Sequence, residues 1–577
     1  MADSKKIKDP IYGYIEVGSG IARNVIDTAT FQRLRNIRQT SYAALYPSSL
    51  HNRFVHSLGV YYLGGIALES FIRSIKKYLE CPEENGEHIF LEENTIIHYG
   101  NIYRLSCLLH DVGHSPFSHT GEDFFTKSRS ETKTEIEDPY SIYKHLSYLT
   151  EDDVFLKPQA KNASPHEIMS SIVALEKFGD DLSFFENAEE KSFFARCITG
   201  ILYEDAINID DHRISKVKSD ELRLIHKHMM MNCMIQLLHS SVIDVDRLDY
   251  IIRDATTMGY KSVSIDYQRL LWGIEVVWID EYNFAIGFHK NAISVIENAV
   301  YAHDNEKKWV QSHPVILYDS YLVSKAIGHI EDQIRKDYPE SKSTLFSFDA
   351  LSESGVKFVS ENKQFETCFL SDADIIYLMK SIYKSDYSDE YLNRNKRFVP
   401  LWKSEAEYMN LFDEGDRKTL QKALSKVMFD ESGEVDNVEL DEGLIQNIDA
   451  DIEEAKEESL VKKVEILELR KKHIRAILNL CQDYNAQNKI ILLKASFFKS
   501  NFSKENMRSI MIYFPNSTKH SKLGDVATTL FSKESDHEET DFVYLFYRSL
   551  DNEKKMDIAK FSNRLVLVLR DGTEKNT

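Results

Sequence analysis

The chain has 577 residues, 42% hydrophobic and 28% charged, the balance of a soluble globular protein with room for two or three domains. Its formal net charge of −21, from 71 basic against 92 acidic residues, excludes a broad phosphate-tracking surface and makes nucleic acid an unlikely main ligand. A small polyanion remains admissible inside one pocket where a metal and local Arg or Lys residues reverse the sign, so the charge favours a nucleotide over a polynucleotide.

No apolar run approaches the roughly 18 residues of a membrane span, and MADSKKIKDP lacks the apolar core of a secretory signal. Cys81, Cys107, Cys197, Cys233, Cys368 and Cys481 are scattered without C-x-x-C spacing, which argues against a disulfide framework or structural zinc. A reducing, cytoplasmic location is the expectation.

Asp9-Pro10 reads as a turn, and Asp27 or Thr28 as the cap of a helix carrying Phe31, Leu34 and Ile37. Residues 60–77 have helical periodicity with a basic end, and 82–95 form an acidic loop. Leu105, Leu108, Leu109 and Val112 recur at three- and four-residue steps, predicting a helix that ends near His110-Asp111, before Gly113 and Pro116.

Residues 127–164, rich in Lys, Glu, Ser and Asp, read as an insertion or mobile lid, followed by the amphipathic helix HEIMSSIVALEKF. Residues 186–240 look helical, then comes a helix with Asp246, Tyr250 and Asp254 on one face, and 292–335 continue the pattern.

Beyond about residue 340 the character changes. Leu444–Leu480 reads as one long solvated helix packed by a single apolar stripe, with Glu458→Lys462 and Glu468→Lys472 pairs. The runs KIILLKASFF, SIMIYF and FVYLFYRSL predict one small sheet. The expected fold is mainly α. It comprises a helical catalytic core over 1–335, a helical extension over 336–490 and a smaller α+β lobe over 491–577.

The chemistry concentrates in RLSCLLHDVGHSPFSH. His110, Asp111, His114 and His119 place four ionisable groups within ten residues beside an apolar run, which packing alone does not explain. Neutral imidazole and carboxylate are both good ligands for a borderline divalent cation. An isolated His-Asp pair is more often a surface ion pair, but two further stretches change the balance: HNRFVHSLGV upstream and SVIDVDRLDYIIRD downstream.

Together these stretches give His56…His110-Asp111…Asp246, the ligand order of the HD metal-dependent phosphohydrolases, which the chain resembles. More narrowly, KIKDPIYGYIEV from Lys6, IDTATFQRLRNIRQ and the sequence to about residue 270 resemble the deoxynucleoside triphosphate triphosphohydrolases, both dGTPase-like and sterile-alpha-motif/HD-domain enzymes. The resemblance implies an HD-domain helical core whose C-terminal part serves regulation and oligomerisation. It also implies one divalent cation per subunit held by His56, His110, Asp111 and Asp246; Mn, Fe, Mg, Ni and Zn are not distinguished by this donor set. A metal-activated water would cleave a dNTP at the α-phosphorus into deoxynucleoside and inorganic triphosphate.

By the same resemblance, His114 and His166 contact phosphate, and His119 with the nearby carboxylate Glu122 protonates the leaving group. Arg53 grips phosphate and base, and Gln39 bonds the sugar 3′-hydroxyl. Arg247, Tyr250 and Asp254 stand where the family lines its substrate site with a lysine, a tyrosine and an aspartate. Asp27, Gln32 and Arg35 match an allosteric, guanine-reading pocket. A homo-oligomer, a tetramer foremost, and a role in antiviral defence also follow from the resemblance. The chain departs from the family at Lys307–Pro314, KKWVQSHP, which lacks the tyrosine and lysine of Tyr-x-His-Lys. Two alternatives therefore stay open: an HD phosphodiesterase or phosphatase on another nucleotide, and a nucleotide sensor with an inactive HD site.

Overall fold

The computed structural model describes residues 4–80, 89–126, 141–207, 219–240, 243–428, 437–515, 521–527, 541–550 and 556–570, apart from 182, 262, 280–282, 342, 362, 485 and 504. The chain is mainly helical, with small sheets, and divides into two compact units. The first comprises residues 1–306, 323–385 and 500–534; the second comprises 307–322, 386–499 and 535–577. No helix among the described residues is long and apolar enough to cross a membrane. Cys107, Cys197, Cys233, Cys368 and Cys481 are free thiols.

The first unit opens with the antiparallel ribbon Ser4–Asp9 and Gly13–Gly18. Its turn is held by the Asp9 carboxylate, which accepts from the backbone N–H groups of Ile11 and Tyr12. Thr28, one of the two predicted caps, accepts from Phe31 N and starts helix Ala29–Gln32.

Helix Arg53–Glu80 begins seven residues before the predicted start and carries His56 in its first turn. Helix Glu93–Leu109 buries Leu105, Leu108 and Leu109 and delivers His110 at its C-cap. Two glycines let neighbouring elements approach. A Cβ on Gly59 would lie 1.9 Å from Asp249 Oδ1, so helix Val245–Met258 crosses helix Arg53–Glu80 where no side chain intervenes. A Cβ on Gly113 would lie 2.4 Å from the Met169 carbonyl carbon, and Gly113 N–H instead donates to Ser170 Oγ at 3.0 Å.

Helix Pro165–Phe178 starts with a capping box between Ser164 and Glu167 and has proline in its first turn. Of the stretch 127–164, residues 127–140 lie outside the described residues. The remainder forms helix Ile142–Thr150 and two 3₁₀ turns that bury Leu146 and Phe155. The predicted helical region 186–240 contains helices Ala188–Thr199 and Ser219–Leu238, with 208–218 outside the described residues.

A four-stranded sheet completes the first unit in the order Ser521–Lys522, Met511–Tyr513, Phe284–His289, Ile274–Trp278. The second unit has its own sheet, ordered Val399–Pro400, Asp541–Tyr547, Ile490–Ser496, Val438–Leu440. The three C-terminal runs therefore do not share one sheet. Met511–Tyr513 is only three residues long and pairs in parallel with Gly287–His289, while the two longer runs pair antiparallel with each other.

The single long helix expected over Leu444–Leu480 is two, Glu442–Glu457 and Val461–Asp483, broken where Ser459 adopts φ 60°. One straight helix would leave part of its apolar stripe in water. The break lets Ile448 and Ile452 share a core with Ile474, Ile477 and Trp402.

Candidate metal centre and the histidine cluster beside it

His56, His110, Asp111 and Asp246 come from two helices and the end of a third, and their polar atoms converge. His56 Nε2 lies 2.9 Å from Asp246 Oδ1, 3.3 Å from His110 Nε2 and 3.7 Å from Asp111 Oδ2. His110 Nε2 lies 3.5 Å from Asp246 Oδ1 and 3.6 Å from Asp111 Oδ1. Donors about 2.1 Å from one shared cation sit roughly 3.0–3.5 Å apart, so this set matches the chemistry and spacing of a divalent site.

Both imidazoles are oriented from behind. His56 Nδ1 faces Asp249 Oδ2 at 2.7 Å, and His110 Nδ1 faces the Cys107 carbonyl at 3.0 Å. With the ring proton on Nδ1, each Nε2 presents a lone pair to the centre. Three of the four donors are buried, and the Asp246 side chain, 40% exposed, is the open side.

Asp249 escaped the sequence reading. Tyr12 Oη donates to its Oδ1 at 2.7 Å, and Arg253 donates from Nε at 2.9 Å and Nη2 at 3.0 Å while also holding Asp9. The available signal was the Asp246-x-x-Asp249 spacing, which puts both carboxylates on the helix face that crosses Gly59. Burial opposes charge on His56, but the bonds to Asp246 and Asp249 override it and push its pKa up to about 9. Burial likewise opposes charge on Asp111. The Arg53 guanidinium prevails and holds that carboxyl well below its usual range.

His114, His119 and His166 form a second cluster. The His114 and His166 rings stack at 4.4 Å between centroids, and His119 meets them edge-on at 5.2 and 5.1 Å. Glu122 bridges two of them: Oε1 faces His119 Nδ1 at 3.1 Å, and Oε2 makes a short contact with His166 Nδ1. His114 is fully buried and neither ring nitrogen has a hydrogen-bond partner. Burial, then the Arg53 charge, lowers its pKa well below the ordinary value, so it is neutral. The intervening backbone is unusual: Phe117 and Ser118 have φ of 59° and 53°. Asp372 pins that turn by accepting from Phe117 N at 2.7 Å and from Arg38 N at 3.0 Å, a role the sequence did not signal.

Arg53 is buried and all three guanidinium nitrogens are engaged: Nη1 with Asp111 at 2.7 Å, Nε with Ser118 Oγ at 3.0 Å, and Nη2 with the Gln39 carbonyl at 3.2 Å. Gln39 is buried and its Oε1 has no partner. Arg247 lines a small cavity with Asp244, Leu248, His303 and Asn501, and the half-buried Tyr250 ring lies 6.3 Å from that of His303. Asp254 is buried with His51 Nε2 at 2.5 Å; burial pushes its pKa up to about 7. His51 and His303 are further polar groups here that the sequence reading missed.

Asp27, Gln32 and Arg35 share a surface strip. Asp27 pairs with Lys5 at 2.7 Å, Gln32 Nε2 donates to the Ile26 carbonyl, and Arg35 Nε donates to Gln32 Oε1. The Arg35 guanidinium lies 3.7 Å from the Phe54 ring centroid.

No protein-family profile matches the chain. An uncharacterized Mycoplasma genitalium protein is 25% identical over 413 residues, 69% of this chain and 79% of that one. The deoxynucleoside triphosphate triphosphohydrolase SAMHD1 of Bos taurus is 27% identical over 349 residues, 57% of this chain and 48% of its own length. A putative HD domain-containing protein of Acanthamoeba polyphaga mimivirus is 38% identical over 116 residues, 20% of this chain and 24% of that protein. The chain thus spans about half or less of these SAMHD1 and mimivirus relatives. The crystal structure of a phosphohydrolase from Bacteroides thetaiotaomicron aligns over 95% of this chain and all of its own at TM-score 0.51 and 17% identity, which shows a shared fold. A hypothetical protein from Aquifex aeolicus does so at TM-score 0.52, with 98% of this chain and 100% of its own covered.

The helical fold and the ordered His/Asp set resemble those of HD-domain proteins. Within that class, the chain is similar in sequence to deoxynucleoside triphosphate triphosphohydrolases.

Proposed function

We propose that this chain is a metal-dependent dNTP triphosphohydrolase that releases deoxynucleoside and inorganic triphosphate. The observation that carries the reading is the convergence of His56, His110, Asp111 and Asp246 beside a carboxylate-bridged histidine cluster. These four residues would hold the cation, which supplies positive charge toward a phosphate and an acidified water when bound. His114 and His166 would bind phosphate oxygens, and the His119–Glu122 pair would place a proton on the leaving oxygen. Arg53 fixes the Asp111 carboxylate and adds positive charge beside it. Gln39, whose Oε1 is unpartnered, and Asp254 would bond the sugar hydroxyl, with Arg247 and Tyr250 along the triphosphate and sugar.

Regulation belongs to the same proposal. The strip of Asp27, Gln32 and Arg35 would take a guanine nucleotide between subunits of a homo-oligomer, a tetramer foremost, inside the cell. Draining dNTPs is the step by which such an enzyme would serve antiviral defence.

The test is to incubate purified protein and each dNTP with manganese and identify the products. Triphosphate supports the reading; pyrophosphate or inorganic phosphate moves the cleavage site; no product with metal bound overturns it. The departure at Lys307–Pro314 favours a second reading, an HD phosphodiesterase or phosphatase, which a panel of cyclic and monophosphate nucleotides tests directly.

A further inference from the structure

The cluster of His114, His119 and His166 has the features of a ligand set in its own right. One ring nitrogen from each of the three lies within 4.8 Å of the others. Glu122 faces the Nδ1 atoms of both His119 and His166, so each of those rings keeps its proton on the carboxylate side and turns an Nε2 lone pair outward. That is the arrangement by which carboxylates orient metal-binding imidazoles. His114 supplies the independent sign: it is fully buried, and both its nitrogens lack any hydrogen-bond partner. A buried imidazole with nothing to bond is costly unless something occupies it.

We propose that His114, His119 and His166 bind a second divalent cation of the imidazole-preferring type, zinc foremost, separate from the cation at His56, His110, Asp111 and Asp246. Three nitrogen donors and no oxygen donor select zinc, copper or nickel over magnesium or manganese. A trigonal set about 2.0–2.1 Å from zinc places its nitrogens roughly 3.3–3.5 Å apart. The nitrogens already lie within 4.8 Å of one another, and His119, whose side chain is 65% exposed, has the room to adjust to that spacing. Glu122, bonded behind two of the rings, offsets one of the two positive charges. Occupation would engage the nitrogens that a phosphate needs, so zinc beyond the first equivalent acts as an inhibitor. The inference goes beyond the nucleotide reading and does not depend on the substrate.

The experiment is metal stoichiometry on the full chain, stripped with chelator and then dialysed against zinc, with visible spectra of the cobalt form as a second readout. Wild type is expected to hold two equivalents, H119A one, H110A one, and the double variant none. The H110A cobalt spectrum should report a nitrogen-rich tetrahedral site. His119 lies at the surface, so H119A keeps its fold, which its melting temperature checks. A single equivalent in wild type, or two equivalents retained in H119A, overturns the proposal. Loss of metal in H119A with none lost in H110A overturns the HD centre instead, so the two claims fail separately.

Discussion

His56 and Asp249 are joined by a buried 2.7 Å bond from Nδ1 to Oδ2, and that bond decides which nitrogen faces the centre. Asp249 is itself held by Tyr12 and by two donors of Arg253, and Arg253 reaches back to Asp9 in the first turn of the chain. The N-terminal ribbon is thereby part of the support for the candidate ligand on helix Arg53–Glu80. Gly59 makes the arrangement possible, because any side chain there would occupy the space of the Asp249 carboxylate.

Asp249→Asn keeps the shape but replaces an acceptor-only group with an amide. Its NH₂ would face a donor, and the His56 tautomer would no longer be enforced. Metal affinity is expected to fall about 10–100-fold, the usual cost of losing an orienting carboxylate. Stability should fall by about 1–3 kcal/mol as Arg253 Nε, like His56 Nδ1, loses its acceptor while Tyr12 keeps the remaining amide oxygen. Metal titration and a denaturant melt of the same variant check both, and an unchanged affinity would refute the orienting role.

His110→Ala and Asp111→Ala should differ. Both remove a candidate ligand and are expected to abolish turnover. Behind the centre, His110 Nδ1 meets the uncharged Cys107 carbonyl, whereas Asp111 neutralises the buried Arg53. Removing one partner of a buried ion pair costs about 3–5 kcal/mol, so Asp111→Ala should melt well below His110→Ala. Asp111→Asn, which retains a hydrogen-bond acceptor for Arg53, should recover part of the loss. Equal melting curves for the two alanine variants would show that Arg53 does not need Asp111.

The centre was largely legible because its donors fall in long local motifs: His56 in HNRFVH, His110-Asp111 at a periodic helix's end, Asp246 in VIDVDRLD. The residues behind them were not. Asp249 reads as one more acidic helix position until Gly59 shows which face is crossed. Asp372 lies 255 residues from the Phe117 amide it accepts from. The same limit applied to the sheets: Met511–Tyr513 has the composition of a strand, but nothing local says that its partner is Gly287–His289. Periodicity reports burial of a face and is silent on what buries it. The break at Ser459 was hidden because no glycine or proline marks it: the φ of 60° falls on a serine within AKEESLVKK.

Gly113→Ala tests the packing that brings His166 to Glu122. The added methyl would lie 2.4 Å from the Met169 carbonyl carbon and the Ser170 nitrogen, both backbone atoms that cannot rotate away. Helix Pro165–Phe178 must shift, at a cost of about 1–3 kcal/mol of overpacking. His166 leaves Glu122 as the helix moves, so activity should fall further than stability does. A variant that melts lower but keeps full turnover would show that the cluster tolerates the displacement.

Glu122→Gln tests the electrostatics of the cluster. Burial opposes charge on both partners, yet the bonds from His119 and His166 hold the Glu122 carboxyl well below its ordinary 4.5, and Glu122 raises His166 above its ordinary 6.5. The sign follows by linkage. Glu122's contribution is present above about 4.5 and lost as pH falls through its lowered folded value. His166's is fully present below about 6.5 and lost as pH rises through its raised folded value. The pair therefore stabilises most between those two values. Without the carboxylate, burial is opposed only by the more weakly acting Glu167 and Asp111 charges, and the His166 proton comes off at lower pH. The alkaline limb of a pH–rate profile that depends on this imidazolium should move the same way, and histidine ring NMR should report the same change in His166. An alkaline limb that stays in place while the NMR titration moves would assign the rate-controlling proton to another group.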